Sequence, residues 1–153
     1  MSEPAGTQTG TGTQAQAQTL GDVMSAEVSA VDLGATVAEA ARAMRAAGVG
    51  SVVVTRAHNL VGIFTERDLV AAAAAGVDAS RSLTRAWMTA DPLTMPSTTR
   101  VSDALAVLRE RRHRRLPIVD DGRLVGIVSL SDFVRAGAIT MGQPAVGAAP
   151  DGR

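Results

Sequence analysis

Two short stretches hold the residue types and spacing that could do chemistry. Residues 60–69 read Leu-Val-Gly-Ile-Phe-Thr-Glu-Arg-Asp-Leu, and residues 124–133 read Leu-Val-Gly-Ile-Val-Ser-Leu-Ser-Asp-Phe. Each places a hydroxyl (Thr65, Ser129) three positions before a carboxylate (Asp68, Asp132). The apolar half reads as a strand, and the half from the hydroxyl onward reads as a helix start. Such a junction admits two readings. In one it is a capping box, where hydroxyl and carboxylate satisfy backbone N–H groups and the macrodipole favours the aspartate. In the other the helix N-terminus is an anion site: the hydroxyl reaches a phosphate and the aspartate holds the two hydroxyls of a ribose. The spacing serves both equally, and on the residues alone the cap is the simpler account.

Little else in the chain suggests chemistry. Asp68 and Asp132 have no candidate base or nucleophile nearby in sequence. Cysteine is absent, which excludes disulfides and thiol catalysis. The two histidines, His58 and His113, have no metal-ligand spacing, and there is no Gly-x-Ser-x-Gly elbow. We therefore expect no enzyme, no metal site and no required cofactor. Charges balance at 15 basic and 15 acidic residues, so no global field recruits nucleic acid or membrane. Every basic residue is arginine, which suits phosphate but also follows from a GC-rich codon bias. Residues 109–115, Arg-Glu-Arg-Arg-His-Arg-Arg, form the densest charge cluster. With no interleaved aromatics to stack bases, it reads as the solvated end of a helix rather than a nucleic-acid platform. The longest apolar run, residues 69–75, is far below the ~18 residues of a membrane helix. The start has neither a basic nor an apolar leader segment. The expectation is a soluble, cytoplasmic protein with no membrane contact.

The elements that must hold the two junctions come in two copies. Without any gap, Met24 aligns with Met88, Val37 with Val101, Ala40 with Ala104, Arg45 with Arg109, residues 60–63 with 124–127, Asp68 with Asp132 and Val70 with Val134. Two copies of about sixty residues point to paired modules rather than a solenoid. In each, helical periodicity (Val37, Ala40, Ala41, Met44; Val101, Ala104, Leu105, Leu108) precedes two β-branched runs, 51–55 with 60–64 and 116–119 with 124–128. The turn 120–123, Asp-Asp-Gly-Arg, suits a hairpin. Helices are expected at 66–75 and 130–136, each followed by a glycine. Extended lead-ins are expected at 22–33 and 87–97, with Met24, Met88 and Trp87 packing there. Residues 1–19 and 142–153 are too poor in large apolar side chains to offset ordering entropy and are expected to be disordered.

The pattern Gly-apolar-x-[Ser/Thr]-x-x-Asp, after a strand pair and before a helix, in two tandem copies, resembles a pair of CBS domains, or Bateman module. Residues 115–119, Arg-Leu-Pro-Ile-Val, match that family's second strand as well. The resemblance implies an α+β fold of two β-α-β-β-α units paired about a pseudo-twofold axis, with CBS domains at 20–78 and 84–141. It implies two clefts for adenosyl ligands such as AMP, ADP, ATP or S-adenosylmethionine, each joining the motif of one module to the lead-in and first strand of the other. One would join Ile63, Thr65 and Asp68 to Leu93, Thr94 and residues 113–117, with Arg114 and Arg115 facing phosphates and Pro117 beside them. The other would join Ile127, Ser129 and Asp132 to Val28, Ser29 and residues 49–52, with Gly50 and Ser51 where the first has arginines. The first is thus expected to prefer more phosphates and the second a less charged adenosyl group. Val53 stands where the second module has Pro117, so the two strand starts should differ. The implied function is regulatory, through a homodimer or an unknown effector protein. The alternative is a ligand-free interaction scaffold in which the four motif residues are caps alone.

Overall fold

Apolar side chains at helical spacing define the first long helix. The structure, a computed structural model, describes residues 18–139; the tails expected to be disordered, 1–19 and 142–153, lie outside the described residues except for Gln18 and Thr19, which are ordered, Gln18 O accepting the Val101 N–H and Thr19 capping a short helix. Helix α2 (Val37–Ala47) buries Val37, Ala40 and Met44 on one face. Thr36 and Glu39 close a capping box at its start, and the Thr36 N–H and hydroxyl hold the Glu39 carboxyl below its usual range. Gly48, at φ 65°, ends it in the left-handed region. Helix α4 (Val101–Arg111) is its counterpart and buries Val101, Ala104, Leu105 and Leu108. Its C-cap is Arg112, in the same conformation at φ 55° but with a side chain.

After each helix comes a hairpin. Strands β2 (Ser51–Arg56) and β3 (Asn59–Thr65) pair antiparallel, as do β5 (Arg115–Asp120) and β6 (Arg123–Ser129). Both hairpins shift register at equivalent positions, 54/55 and 118/119. Both turn through two left-handed residues: Asp121 and Gly122 (φ 49° and 76°) in the second, Ala57 and His58 (φ 48° and 68°) in the first. Such a turn favours Asn-Gly or Asp-Gly, because only short polar residues and glycine enter this region cheaply. Helices α3 (Glu66–Ala74) and α5 (Leu130–Arg135) follow directly.

A short helical turn precedes each lead-in, and of the expected extended stretches 22–33 and 87–97 only residues 22–23 are helical. Residues Leu20–Val23 make a short helix, α1, because Thr19 and Asp22 form another capping box: the Asp22 carboxylate accepts the Thr19 N–H at 2.9 Å. The Leu20 side chain is fully buried. Residues Thr84–Ala86 form one 3-10 turn, and Trp87 donates its indole N–H to Ser82 Oγ. Strand β1 (Ala30–Asp32) pairs parallel with β2, and the Val53 N–H donates to Ser29 O. In the second module this edge shrinks to a single bridge between Met95 and Ile118. Pro117 stands at the position of Val53 and has no N–H to give.

The two modules exchange their leading segments. Residues 18–25 pack on the second module: Val101 N–H donates to Gln18 O, Leu20 N–H to Thr99 O, and Ser25 and Ile127 exchange two backbone bonds at 3.0 Å. Residues 82–90 pack on the first: Val37 N–H donates to Ser82 O, and β4 (Thr89–Ala90) pairs with β3. The four-stranded sheet therefore runs β1-β2-β3-β4, beside the pair β5-β6. The cores are mixed in the same way. Leu20, Val23 and Met24 join the core of the second module, and Trp87 and Met88 join that of the first. Between them β3 lies against β6. No helix among the described residues is long and apolar enough to cross a membrane.

The repeated glycine of each hairpin follows from this exchange. A Cβ on Gly62 would fall on Met88 Sδ, and one on Gly126 on Met24 Sδ and, at 2.9 Å, on Ser25 O. Met88 can yield, being flexible; the Ser25 carbonyl is bonded to Ile127 N–H and cannot move freely. Gly62→Ala is expected to destabilise by about 1–3 kcal/mol through overpacking, and Gly126→Ala by more. Adding Met88→Ala should recover much of the first loss, whereas Met24→Ala should leave most of the second. Urea unfolding of the four variants measures this; equal losses and equal rescue would contradict the asymmetry. A second expectation concerns the first hairpin. Replacing Ala57-His58 by Asn-Gly should raise the urea midpoint by about 1 kcal/mol of stability, with an unchanged slope.

Candidate functional site

Each motif closes its own hydrogen bonds before any ligand is considered. Asp68 Oδ2 accepts the Thr65 N–H at 2.7 Å and the Thr65 hydroxyl at 2.9 Å, and Asp68 N–H returns a bond to Thr65 Oγ1 at 3.4 Å. Asp132 Oδ2 likewise accepts the Ser129 N–H at 2.7 Å and hydroxyl at 2.8 Å. Both residues are therefore caps, as the simpler reading held. The difference lies at the other carboxylate oxygen. Among the described residues no donor reaches Asp68 Oδ1. Asp132 Oδ1 is ion-paired with Arg135, one helical turn on. The corresponding position in α3 is Ala71.

Each motif also opens on a cavity shared with the other module. The Asp68 cleft, about 310 Å³, is lined by Ile63, Thr65 and Asp68 of the first module and by Leu93, Arg114, Arg115 and Pro117 of the second. The Asp132 cleft, about 300 Å³, is lined by Ile127, Ser129 and Asp132 with Val28, Ser29 and Ser51. The exchanged segments bring these together, since Thr89 and Pro92 reach the first cleft and Ser25 and Glu27 the second.

Two expected lining residues, Thr94 and Gly50, fall elsewhere. Thr94 does not line the Asp68 cleft: Leu93 does, and Thr94 after it is exposed. Gly50 lines the Asp68 cleft rather than the Asp132 cleft. Ser51 faces the latter, and the preceding residue lies on the opposite side, against Arg115 and Glu66. Arg115 lines both clefts.

Sequence reasoning missed several further lining residues. Glu66, Arg67 and Arg112 line the Asp68 cleft, and Arg135 the Asp132 cleft. Arg135 had a local signal, its i,i+3 spacing from Asp132. Arg112 had only the arginine run of residues 109–115 as a signal, and it reaches the cleft from the left-handed cap of α4. The charge balance still separates the clefts. Four arginines (67, 112, 114, 115) face Glu66 and Asp68 in the first, whereas Arg115 and Arg135 face Glu27 and Asp132 in the second. Among the described residues no group of histidine and carboxylate side chains is arranged to hold a metal ion.

Comparison with known proteins gives the family. The CBS domain model matches twice, over residues 20–75 and 83–139. An uncharacterized 17.7 kDa protein of Acidianus ambivalens is 39% identical over 117 residues, 74% of this chain and 70% of its own length. The CBS domain-containing protein YhcV of Bacillus subtilis is 34% identical over 113 residues, 73% of this chain and 80% of its own. Among solved structures, the CBS domain protein NE2398 superposes with a TM-score of 0.74 at 26% identity, covering 80% of this chain and 98% of that one. The CBS domain pair of MJ0100, solved in complex with 5′-methylthioadenosine and S-adenosyl-L-methionine, shares the fold at 23% identity and a TM-score of 0.72, covering 79% and 96%. With two matched domains, exchanged lead-ins and a motif-lined cleft on each side, the chain belongs to the CBS-domain family and is a CBS pair.

Proposed function

We propose that this CBS pair is a non-catalytic regulatory module that binds adenosyl ligands in its two inter-module clefts. The observation that carries this reading is Asp68. Its Oδ2 is locked by Thr65 and its Oδ1 is left without a donor, at the wall of a cavity whose volume falls in the range of small-molecule sites. A carboxylate held in that way is ready to accept a ribose diol. The arginines opposite suit a phosphate chain, so the Asp68 cleft takes AMP, ADP or ATP. In the Asp132 cleft, Arg135 competes for the carboxylate and the charges cancel. That cleft takes a less charged adenosyl group, as S-adenosylmethionine carries. The complex of MJ0100 supports the ligand class. Output passes through a homodimer or a partner protein in the cytoplasm, by differential affinity for two arrangements.

The completed capping boxes favour a second reading, a ligand-free scaffold in which Thr65, Asp68, Ser129 and Asp132 serve only as caps. Thermal unfolding against AMP, ADP, ATP, S-adenosylmethionine and NADH, with GMP as control, separates the two. A ligand at 100 times its Kd adds about 2.7 kcal/mol, at ~2–4 °C per kcal/mol. The expected result is stabilisation by adenine nucleotides and not GMP, lost in Asp68→Asn, whose amide oxygen preserves the cap. The shift with S-adenosylmethionine should instead be lost in Asp132→Asn. No shift with any compound would establish the scaffold. There, Asp68→Asn would cost no more than a cap, ~0.5–2 kcal/mol.

A further inference from the structure

Arg115 stands on β5 where Ser51 stands on β2, and the two meet across the pseudo-twofold axis. Arg115 Nη1 donates to Ser51 Oγ at 3.2 Å. Its Nη2 lies 2.5 Å from the place a Cβ on Gly50 would occupy. The side chain thus leaves its own strand, lies over the bare Cα of Gly50, and forms part of both cavity walls. It makes no ion pair among the described residues. A half-buried guanidinium with five donors is held here by one neutral hydroxyl. An anion in either cleft offers what the hydroxyl cannot: a full opposite charge and oxygens that can take two of the guanidinium donors at once.

We propose that Arg115 couples the two clefts: it is parked on Ser51 while the Asp68 cleft is empty, and a phosphate turns it into that cleft. The inference rests on the adenosyl-ligand reading above and adds its regulation. Turning withdraws positive charge from the Asp132 cleft, leaving Arg135 alone against Glu27 and Asp132. It also leaves the Ser51 hydroxyl, on a residue only 5% exposed, without its donor. Anionic ligands in the two clefts therefore compete for one guanidinium, and by linkage each weakens the other to the same degree. An adenosyl group without phosphate in the Asp132 cleft escapes that competition.

Two substitutions release the parked state while keeping Arg115. Ser51→Ala removes the acceptor. Gly50→Ala places a methyl where Nη2 lies, and only the flexible ends of Arg115 and Glu66 must shift, so the fold tolerates it. The measurement is calorimetric titration of ATP and of adenosine into the wild type, these two variants and Arg115→Gln. The ratio of ATP to adenosine affinity should rise several-fold, up to about tenfold, in Ser51→Ala and Gly50→Ala, and fall by about tenfold or more in Arg115→Gln. A purely structural role would move both affinities together and leave the ratio unchanged. At concentrations high enough to drive ATP into the Asp132 cleft as well, the wild-type titration should be anticooperative and that of Arg115→Gln should not. A constant ratio in all three variants, with adenosine still bound, would overturn the coupling and leave the ligand class standing. Failure of the wild type to bind either compound would overturn both.

Discussion

The structure depends on one constraint: neither module is complete without the leading segment of the other. Helix α2 starts on the carbonyl of Ser82 and helix α4 on that of Gln18. Met88 lies on Gly62 and Met24 on Gly126. Burying a side chain such as Leu20, which is fully enclosed in the second module's core, is worth about 1.5–3 kcal/mol. A single module cut from the chain would lose that burial and leave its outer hairpin edge open. The exchange also creates the clefts. A motif and its own lead-in lie on opposite sides of the molecule, and only crossing segments bring Leu93 to Asp68 and Val28 to Asp132.

Within that shared frame the two halves differ where they face the clefts and agree where they face each other. The hairpin glycines, the methionines over them and the hydroxyl–aspartate pairs are repeated. Gly48, Ser51, Val53 and Ala71 answer to Arg112, Arg115, Pro117 and Arg135. Three of these four exchanges add an arginine, and all four corresponding second-module residues except Arg135 line the Asp68 cleft. Pro117 removes a sheet donor, so the Leu93 carbonyl does not receive the bond that Ser29 receives from Val53. The second module thus gives up part of its sheet edge beside the cleft that carries the most charge.

Local patterns made the hairpins, α2, α4 and both motifs legible, because periodicity and turn chemistry are written in neighbouring residues. Helix α1 is equally local, a Thr-x-x-Asp box at Thr19, but it is a single turn beside a stretch poor in large side chains, so no periodicity marks it. The positions of Gly50 and Arg115 were not local at all. Where Arg115 reaches depends on a side chain crossing from β5 to β2, on a missing Cβ, and on a hydroxyl sixty-four residues away. The repeat points it to the Asp68 cleft; only the packing of the two halves shows that it borders the other as well. Thr94 follows Leu93 outside any paired strand, so no pattern in the sequence fixes which of the two faces the cleft.

The cap and the ligand site are not rival uses of the same aspartate. A free carboxylate on a helix N-terminus rotates, and ordering it costs part of the binding energy. At Asp68 the Thr65 N–H and hydroxyl fix one oxygen, and that fixes the plane and direction of the other. Capping thus pre-organises the carboxylate oxygen that, in the proposed function, would accept a ribose diol. The same geometry explains why the two clefts need not bind alike. In α5 the oxygen so presented faces an arginine one turn away, and a ligand must displace that pair before it can use the carboxylate. Because the Arg135 side chain is 75% exposed, solvent screens the pair and its displacement costs little. Arg135 is then a modest, tunable obstacle on one cleft, while Ala71 leaves the other open.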